Sequence, residues 1–171
     1  MPQLGVFVGR LCPPHLGHQA VISQMIEKCE STLVVVGSSN HDTSLRHFFS
    51  YEERRRFLKE LFSELRIVGL GDYQTDEEWF VALDDLIQLA NPTGLSVVFF
   101  GGCREDTLYY EAAGREVAIV NRFSGVTPKV SATEVRDALI SQRELAGLVD
   151  ERLAPLITET FKRRWEQFKK M

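Results

Sequence analysis

Five short strand-like runs, most of them unbroken aliphatic and aromatic sequence, punctuate this chain at residues 4–8, 32–36, 66–70, 95–100 and 116–120. Runs of that length without polar alternation suit strands covered on both faces. Between them lie segments of helical pattern at 17–28, 51–65, 76–90 and 104–113, and two more follow at 132–140 and 155–169. Ser50 with Glu53, Thr75 with Glu78 and Ser131 with Glu134 have the spacing of capping boxes at helix starts, and Gly114 closes the fourth helix. Alternating strand and helix predicts an α/β fold, a doubly wound parallel sheet with right-handed crossovers, ending in a C-terminal helical segment. Sheets of this kind bind ligands beyond the carboxyl ends of their strands, where the strand order reverses.

The 171 residues suit one domain, 1–171, with a core over about 4–140 and C-terminal helices in 141–171. With 20 Lys and Arg against 24 Asp and Glu, the net charge of −4 argues against a general nucleic-acid binder. No apolar run reaches membrane-spanning length, so no membrane partner is expected. Cys12, Cys29 and Cys103 form an odd, unpatterned set, which fits a reducing compartment. Met1, Pro2 and Gln3 begin no basic region or long apolar core, so a signal peptide is not expected and the cytoplasm is the expected location.

Chemistry concentrates after the first strand. Gly9 ends it, Pro13 and Pro14 force an extended turn, and His15 and His18 stand at the mouth of the next helix with Gly17 between them. At that spacing the imidazoles share a helix face. Free first-turn N–H groups and the positive end of the helix dipole would complete an anion site with Arg10. Cys12, His15 and His18 as zinc ligands lack a fourth partner at motif spacing. Cys12 as a nucleophile beside His15 lacks an orienting group. Two structural histidines at a helix cap remain the plain alternative.

The run GR-x-x-P-x-H-x-GH from Gly9 to His18 resembles the signature of the HxGH nucleotidyltransferases, and its GR opening is most similar to the archaeal-type nicotinamide mononucleotide adenylyltransferases. A similar motif occurs in class I aminoacyl-tRNA synthetases, but this chain is too short to bind tRNA. Leu11, Cys12 and Pro14 depart from the usual residues of the turn. The closing run VSATEVR, Val130 to Arg136, resembles the family's S-x-T-x-[IV]-R helix start, with Ala132 in place of the more usual glycine or serine. The resemblance spans about Gly5 to Ile140.

The resemblance implies a Rossmann-like nucleotidyltransferase fold and transfer of AMP from ATP to nicotinamide mononucleotide, giving NAD and pyrophosphate. His15, His18 and Arg136 would be catalytic. Gly9, Arg10, Gly17, Gly101, Ser131 and Thr133 would bind ATP and its phosphates. Gly37, Ser38, Asp72 and Trp79 would bind the mononucleotide, with the indole stacked on the pyridine ring. Magnesium would accompany ATP, bridging its phosphates with few protein ligands, and no residue is assigned to a metal. Family members are often oligomers, so a homo-oligomer is a possible partner state.

Each assignment has a plainer counterpart. Ser131 would be an N-cap in any case. Gly101 and Gly102 could be a glycine turn, and Trp79 could pack beside Phe80 and Leu83. The arginines of SYEERRRFL, which resembles a family segment ending in ER, read as a solvated helix face. Another adenylyl- or cytidylyltransferase of the superfamily, such as a phosphopantetheine adenylyltransferase, and a non-catalytic nucleotide sensor are the rival functions.

Overall fold

A computed structural model describes residues 2–41, 44–120 and 129–170. Positions 42 and 43 of the polar loop expected after Asn40, and 121–128 of the expected single domain, lie outside the described residues. The elements run β1 (Gln3–Gly9), α1 (Leu16–Lys28), β2 (Ser31–Val36), α2 (Tyr51–Leu61), β3 (Ile67–Gly69), α3 (Asp76–Leu89), β4 (Ser96–Gly101), α4 (Arg104–Ala112), β5 (Val117–Ile119), α5 (Ala132–Ile140) and α6 (Ala154–Lys169). The strands form one parallel sheet in the order β3-β2-β1-β4-β5. The chain winds outward from β1 to β3, then returns to β4 on the other side of β1. The order therefore reverses between β1 and β4, the expected ligand cleft. β1 pairs with β2 as far as Gly9–Val36, but with β4 only as far as Val6–Phe99.

Alternation along the strands divides the core. Leu4, Val6, Leu33, Val35 and Phe99 meet Leu83 and Ile87 of α3 and Tyr110 of α4. Phe7, Val34, Val36, Val98 and Phe100 meet Val21, Ile22 and Met25 of α1 and Leu58 of α2 on the other face. Helices on both faces make the fold doubly wound, as the sequence predicts. Gly5 is required by this packing: a Cβ there would lie 2.5 Å from Met25 Cγ, so α1 could not sit so close. A third cluster joins Phe48, Phe49 and Phe57 to Val135 and Leu139 of α5 and Ile157 and Phe161 of α6. Phe161 stacks on Trp165, and Trp165 on Phe168, with Phe48 against all three, which accounts for the aromatic period of α6.

The expected boundaries shift where local pattern meets tertiary context. α2 stops at Leu61 rather than residue 65, because Phe62 leaves helical geometry (φ −136°, ψ 83°). Lys59 then closes the turn on the carbonyls of Ser63 and Leu65. β3 and β5 are three residues each, shorter than expected, because each is a sheet edge with a ladder on one side only. The capping box at Ser50–Glu53 is reciprocal. Thr75 and Ser131 accept from the amides of Glu78 and Glu134, without the reciprocal bond. Residues 141–171 contribute one α-helix among the described residues, α6, reached through turns. No helix among the described residues is long and apolar enough to cross a membrane.

Candidate active site

The sharp exit from β1 delivers Arg10, Cys12 and His15 to the carboxyl edge of the sheet. Leu11 makes that exit in a left-handed conformation (φ 53°) with its side chain buried. Cys12 is anchored by the backbone of Phe49: its sulfur accepts from the Phe49 amide at 3.4 Å and faces the Phe49 carbonyl at 3.9 Å. That local anchoring accommodates a cysteine at a position where the motif usually has another residue.

His15 is the N-cap of α1. Its Nδ1 accepts the amides of Gly17 at 3.0 Å and His18 at 3.3 Å, while His18 Nδ1 accepts the His15 amide at 3.2 Å. The two form a capping box built from imidazoles, their rings stacked with centroids 3.6 Å apart. A ring nitrogen that accepts backbone N–H groups carries no proton, so the hydrogen-bond network assigns the ring proton of both histidines to Nε2. The remaining amide of the turn, Leu16, donates to the Leu148 carbonyl at 3.0 Å, and Gln19 starts the regular helical bonds by donating to His15. The expectation of free first-turn amides is therefore corrected. Gly17 gives its N–H to His15, which is buried, and His18 is the member of the pair that lines the neighbouring cavity.

Beside this cap, Arg10, Leu11, Cys12, His18, Arg46, Ala132, Thr133 and Arg136 line a cavity of about 310 Å³. Motifs at opposite ends of the chain meet here. Arg136 Nη1 donates to the Cys12 carbonyl at 2.9 Å and Nη2 to Thr133 Oγ1 at 3.3 Å, which aims the guanidinium fork across the β1 exit. Burial pushes the Arg10 pKa down, and the charges of Arg46 and then Arg136 push it further, against an opposing pull from Asp72. Among the described residues the wall shared by these three guanidiniums contains no acidic side chain, an arrangement suited to an anion. Arg46 carried no motif signal in the sequence. Its polar loop, rather than a helix or strand, brings it in.

A second polar group gathers at the ends of β2 and β3. Ser38 leaves β2 with φ 50° and donates through Oγ to both carboxylate oxygens of Asp72, at 3.1 and 3.0 Å. His41 Nε2 contacts the same carboxylate, and Asn40 brackets the Asp72 backbone by accepting its N–H and donating to its carbonyl. His41 stacks on His47 at 4.3 Å; burial, then His41, Arg10 and Arg46, push the His47 pKa down. Gly37 completes the β2 exit, its amide on the Gly9 carbonyl at 2.9 Å. Trp79 lies one turn into α3 and is half-buried among Phe80, Tyr109 and Tyr110, with centroids at 5.4, 5.9 and 6.4 Å.

Two assignments read differently in three dimensions. At Gly101 a Cβ would lie 2.6 Å from Thr107 Cγ2 and 2.9 Å from Asp106 Cβ, so the glycine is required by the return of α4 itself. Arg54 does not belong to a solvated face. It is 3% exposed and donates to the carbonyls of Arg10, Gly37 and Ser38, whereas Arg56 is exposed as expected. Ser131 caps α5, accepting from Glu134 at 3.1 Å. Among the described residues no three His, Cys, Asp or Glu side chains gather as a metal site.

Comparison with known proteins places this geometry. The chain is similar to the nicotinamide-nucleotide adenylyltransferase of Thermococcus onnurineus, 26% identical over 165 residues, covering 93% of this chain and 84% of that one. It is 23% identical over 138 residues to the nicotinamide/nicotinic acid mononucleotide adenylyltransferase of Acinetobacter baylyi, covering 78% and 73%. Its fold matches the crystal structure of a bifunctional NMN adenylyltransferase/ADP ribose pyrophosphatase from Francisella tularensis with a TM-score of 0.73 and 20% identity, over 89% of this chain but 44% of that longer one. The family model described as cytidylyltransferase-like matches residues 6–138. That span runs from within β1 through the turn of α5 that carries Arg136, so it takes in the sheet and both ends of the cavity, and the chain belongs to the cytidylyltransferase-like family.

Proposed function

We propose that this protein is a nicotinamide-nucleotide adenylyltransferase, transferring AMP from ATP to nicotinamide mononucleotide and releasing NAD and pyrophosphate. The observation that carries the reading is the meeting of Arg10, His18, Arg46 and Arg136 in one cavity beside the imidazole-capped α1. The names of the two curated relatives support the choice of acceptor.

In this reading an oxygen of the mononucleotide's 5′-phosphate attacks the α-phosphorus of ATP, the bond to the bridging oxygen breaks, and pyrophosphate leaves with that electron pair. Such transfer depends on positioning and charge stabilisation. The Nε2–H donors of His15 and His18 serve the α- and β-phosphates, and the Arg136 fork serves the distal phosphates, with Arg10 and Arg46 neutralising the chain. Gly9, Gly17, Ser131 and Thr133 shape the walls around it. Gly37, Ser38, Asp72 and Trp79 take the mononucleotide. Gly101, set by its own helix, keeps only a shaping role. The described residues offer no carboxylate cluster for a resident ion. Magnesium would accompany ATP as part of the substrate and would supply charge neutralisation at the phosphates.

The test is a product assay with ATP and magnesium against nicotinamide mononucleotide, nicotinic acid mononucleotide, phosphopantetheine and an alcohol phosphate. Formation of the dinucleotide and pyrophosphate is the expected result. Turnover with another acceptor alone would move the protein to a different transferase, and ATP binding with no product from any acceptor would make it a nucleotide sensor.

A further inference from the structure

Among the described residues the buried Arg54 of α2 has no carboxylate partner. Among the described residues the Arg54 side chain donates to backbone carbonyls: Nη1 to Arg10 and Gly37, both at 2.8 Å, Nη2 to Ser38 at 3.3 Å, and Nε to Ser50 at 3.3 Å. These carbonyls come from the exits of two adjacent strands and the N-cap of α2. The last β1–β2 register pair is Gly9–Val36, and a single further bond, Gly37 to Gly9, follows it. Beyond that point Arg54 takes over from the sheet ladder.

The position of the bonds is specific. The Arg10 carbonyl belongs to the peptide that enters Leu11, and the Gly37 carbonyl to the peptide that enters Ser38. Leu11 and Ser38 are the two residues near the site with left-handed φ, 53° and 50°. Side-chain-bearing residues hold that conformation only where their surroundings over-determine it. One nitrogen thus pins both peptide planes from which the left-handed turns depart. One turn carries the chain from Arg10 to Cys12, both on the cavity wall, and the other holds Ser38 on Asp72. A cation facing only carbonyl dipoles is also held in place without consuming a carboxylate, which leaves Asp72 to the opposite wall.

We propose that Arg54 is the positioning residue of the active site, setting the relative placement of the phosphate wall and the acceptor wall without touching either substrate. This rests on the function proposed above. A displacement near 1 Å of a reacting group costs on the order of a hundredfold in rate. Arg54→Ala is therefore expected to lower kcat by about a hundredfold, with a smaller change in KM. Arg54→Lys should restore little, since one ammonium cannot span the Arg10 and Gly37 carbonyls in the plane of a guanidinium. Millimolar guanidinium chloride, well below denaturing concentration, should restore turnover to Arg54→Ala, and methylammonium should not.

Ile87→Ala, which opens a cavity at the far end of α3, is the stability control and should lower Tm while keeping turnover. In parallel, inorganic pyrophosphate is titrated calorimetrically into parent and Arg54→Ala. Its affinity should fall at least several-fold and return with guanidinium. If the parent gives no dinucleotide but binds pyrophosphate in this Arg54-dependent way, the acceptor reading fails and the positioning role stands. Normal kcat in a folded Arg54→Ala, loss of turnover in Ile87→Ala to the same degree, no rescue by guanidinium, or no pyrophosphate binding by the parent would each overturn the proposal.

Discussion

The two walls of the cleft are both polar, and they are finished in opposite ways. On the wall built from the β1 exit and α5, Arg10, Arg46 and Arg136 converge with His18, and none of the described lining residues is acidic. On the wall built from β2 and β3, Asp72 is already met by Ser38 and His41, and Asn40 holds its backbone. The first wall is electrostatically incomplete and gains most from a multiply charged anion. The second is internally satisfied and offers shape, a carboxylate of fixed orientation and hydrogen-bonding edges. In the proposed function the first wall handles charge and the second handles recognition, and substitutions should divide along that line.

The largest effect is expected at the histidine pair. His18→Ala removes a donor to the reacting phosphates and should cut turnover by roughly two to three decades. It also removes half of the α1 capping box, at a cost of about 1 kcal/mol, which a melting curve should register as a small drop. Near-normal turnover in the folded variant would mean that the charged wall works without its imidazoles.

Arg136 comes next. Arg136→Ala should weaken ATP by about tenfold or more and leave nicotinamide mononucleotide within about twofold, as loss of a charge-assisted pair on one side of the cleft. Lysine should rescue poorly, because the fork spans Cys12 and Thr133. Equal losses for both substrates, measured by calorimetry, would dissolve the distinction between the walls.

Trp79 probes the recognition side. Trp79→Ala should weaken the mononucleotide by on the order of 1 kcal/mol, about fivefold, with ATP unchanged. Its contacts with Phe80, Tyr109 and Tyr110 mean that Tm should also fall. Trp79→Phe should keep most of the affinity, since a flat face remains. Parallel weakening of both ligands would reduce the indole to core packing.

The smallest effect lies outside both walls and serves as a control. Hydrogen bonds from Arg152 first, then Gln19, hold the Asp150 carboxyl well below the usual carboxylate range. A depressed carboxyl stabilises the folded state above the ordinary pKa of about 4, and that contribution is lost as pH falls below it. In Asp150→Asn the acid limb of the Tm profile should be shallower by a few degrees, with turnover at neutral pH little changed. An unaltered acid limb would show that this carboxylate is not what couples the 141–153 turns to α1.

Much of this was readable in one dimension because its causes are local. Apolar runs mark β1, β2 and β4, the Ser50–Glu53 spacing marks the start of α2, and the paired motifs around His15 and Arg136 do end in one cavity. What stayed hidden depends on distant partners. Arg54 sits in a run of three arginines, and only carbonyls from residues 10, 37 and 38 distinguish it from its exposed neighbour. Arg46 lies in a loop with no periodicity to orient it. The first-turn amides of α1 look free in sequence because their acceptors are a ring nitrogen and the carbonyl of Leu148. Gly101 looks like an opening for a ligand until α4 is folded back onto it.

The bond from Leu16 to Leu148 has a temporal consequence. The helix that carries both histidines is made long before Leu148, so one of its terminal amides acquires its partner only after the chain has reached that residue. The bond from Gln19 to Asp150, with a sequence separation of 131, and that from Arg136 to Cys12, with a separation of 124, follow the same rule. Contacts that close so long a loop are late ones. On the ribosome, the nascent chain can form β1, α1 and β2 well before Arg136, Leu148 and Asp150 exist to hold the β1 exit and the start of α1 in shape.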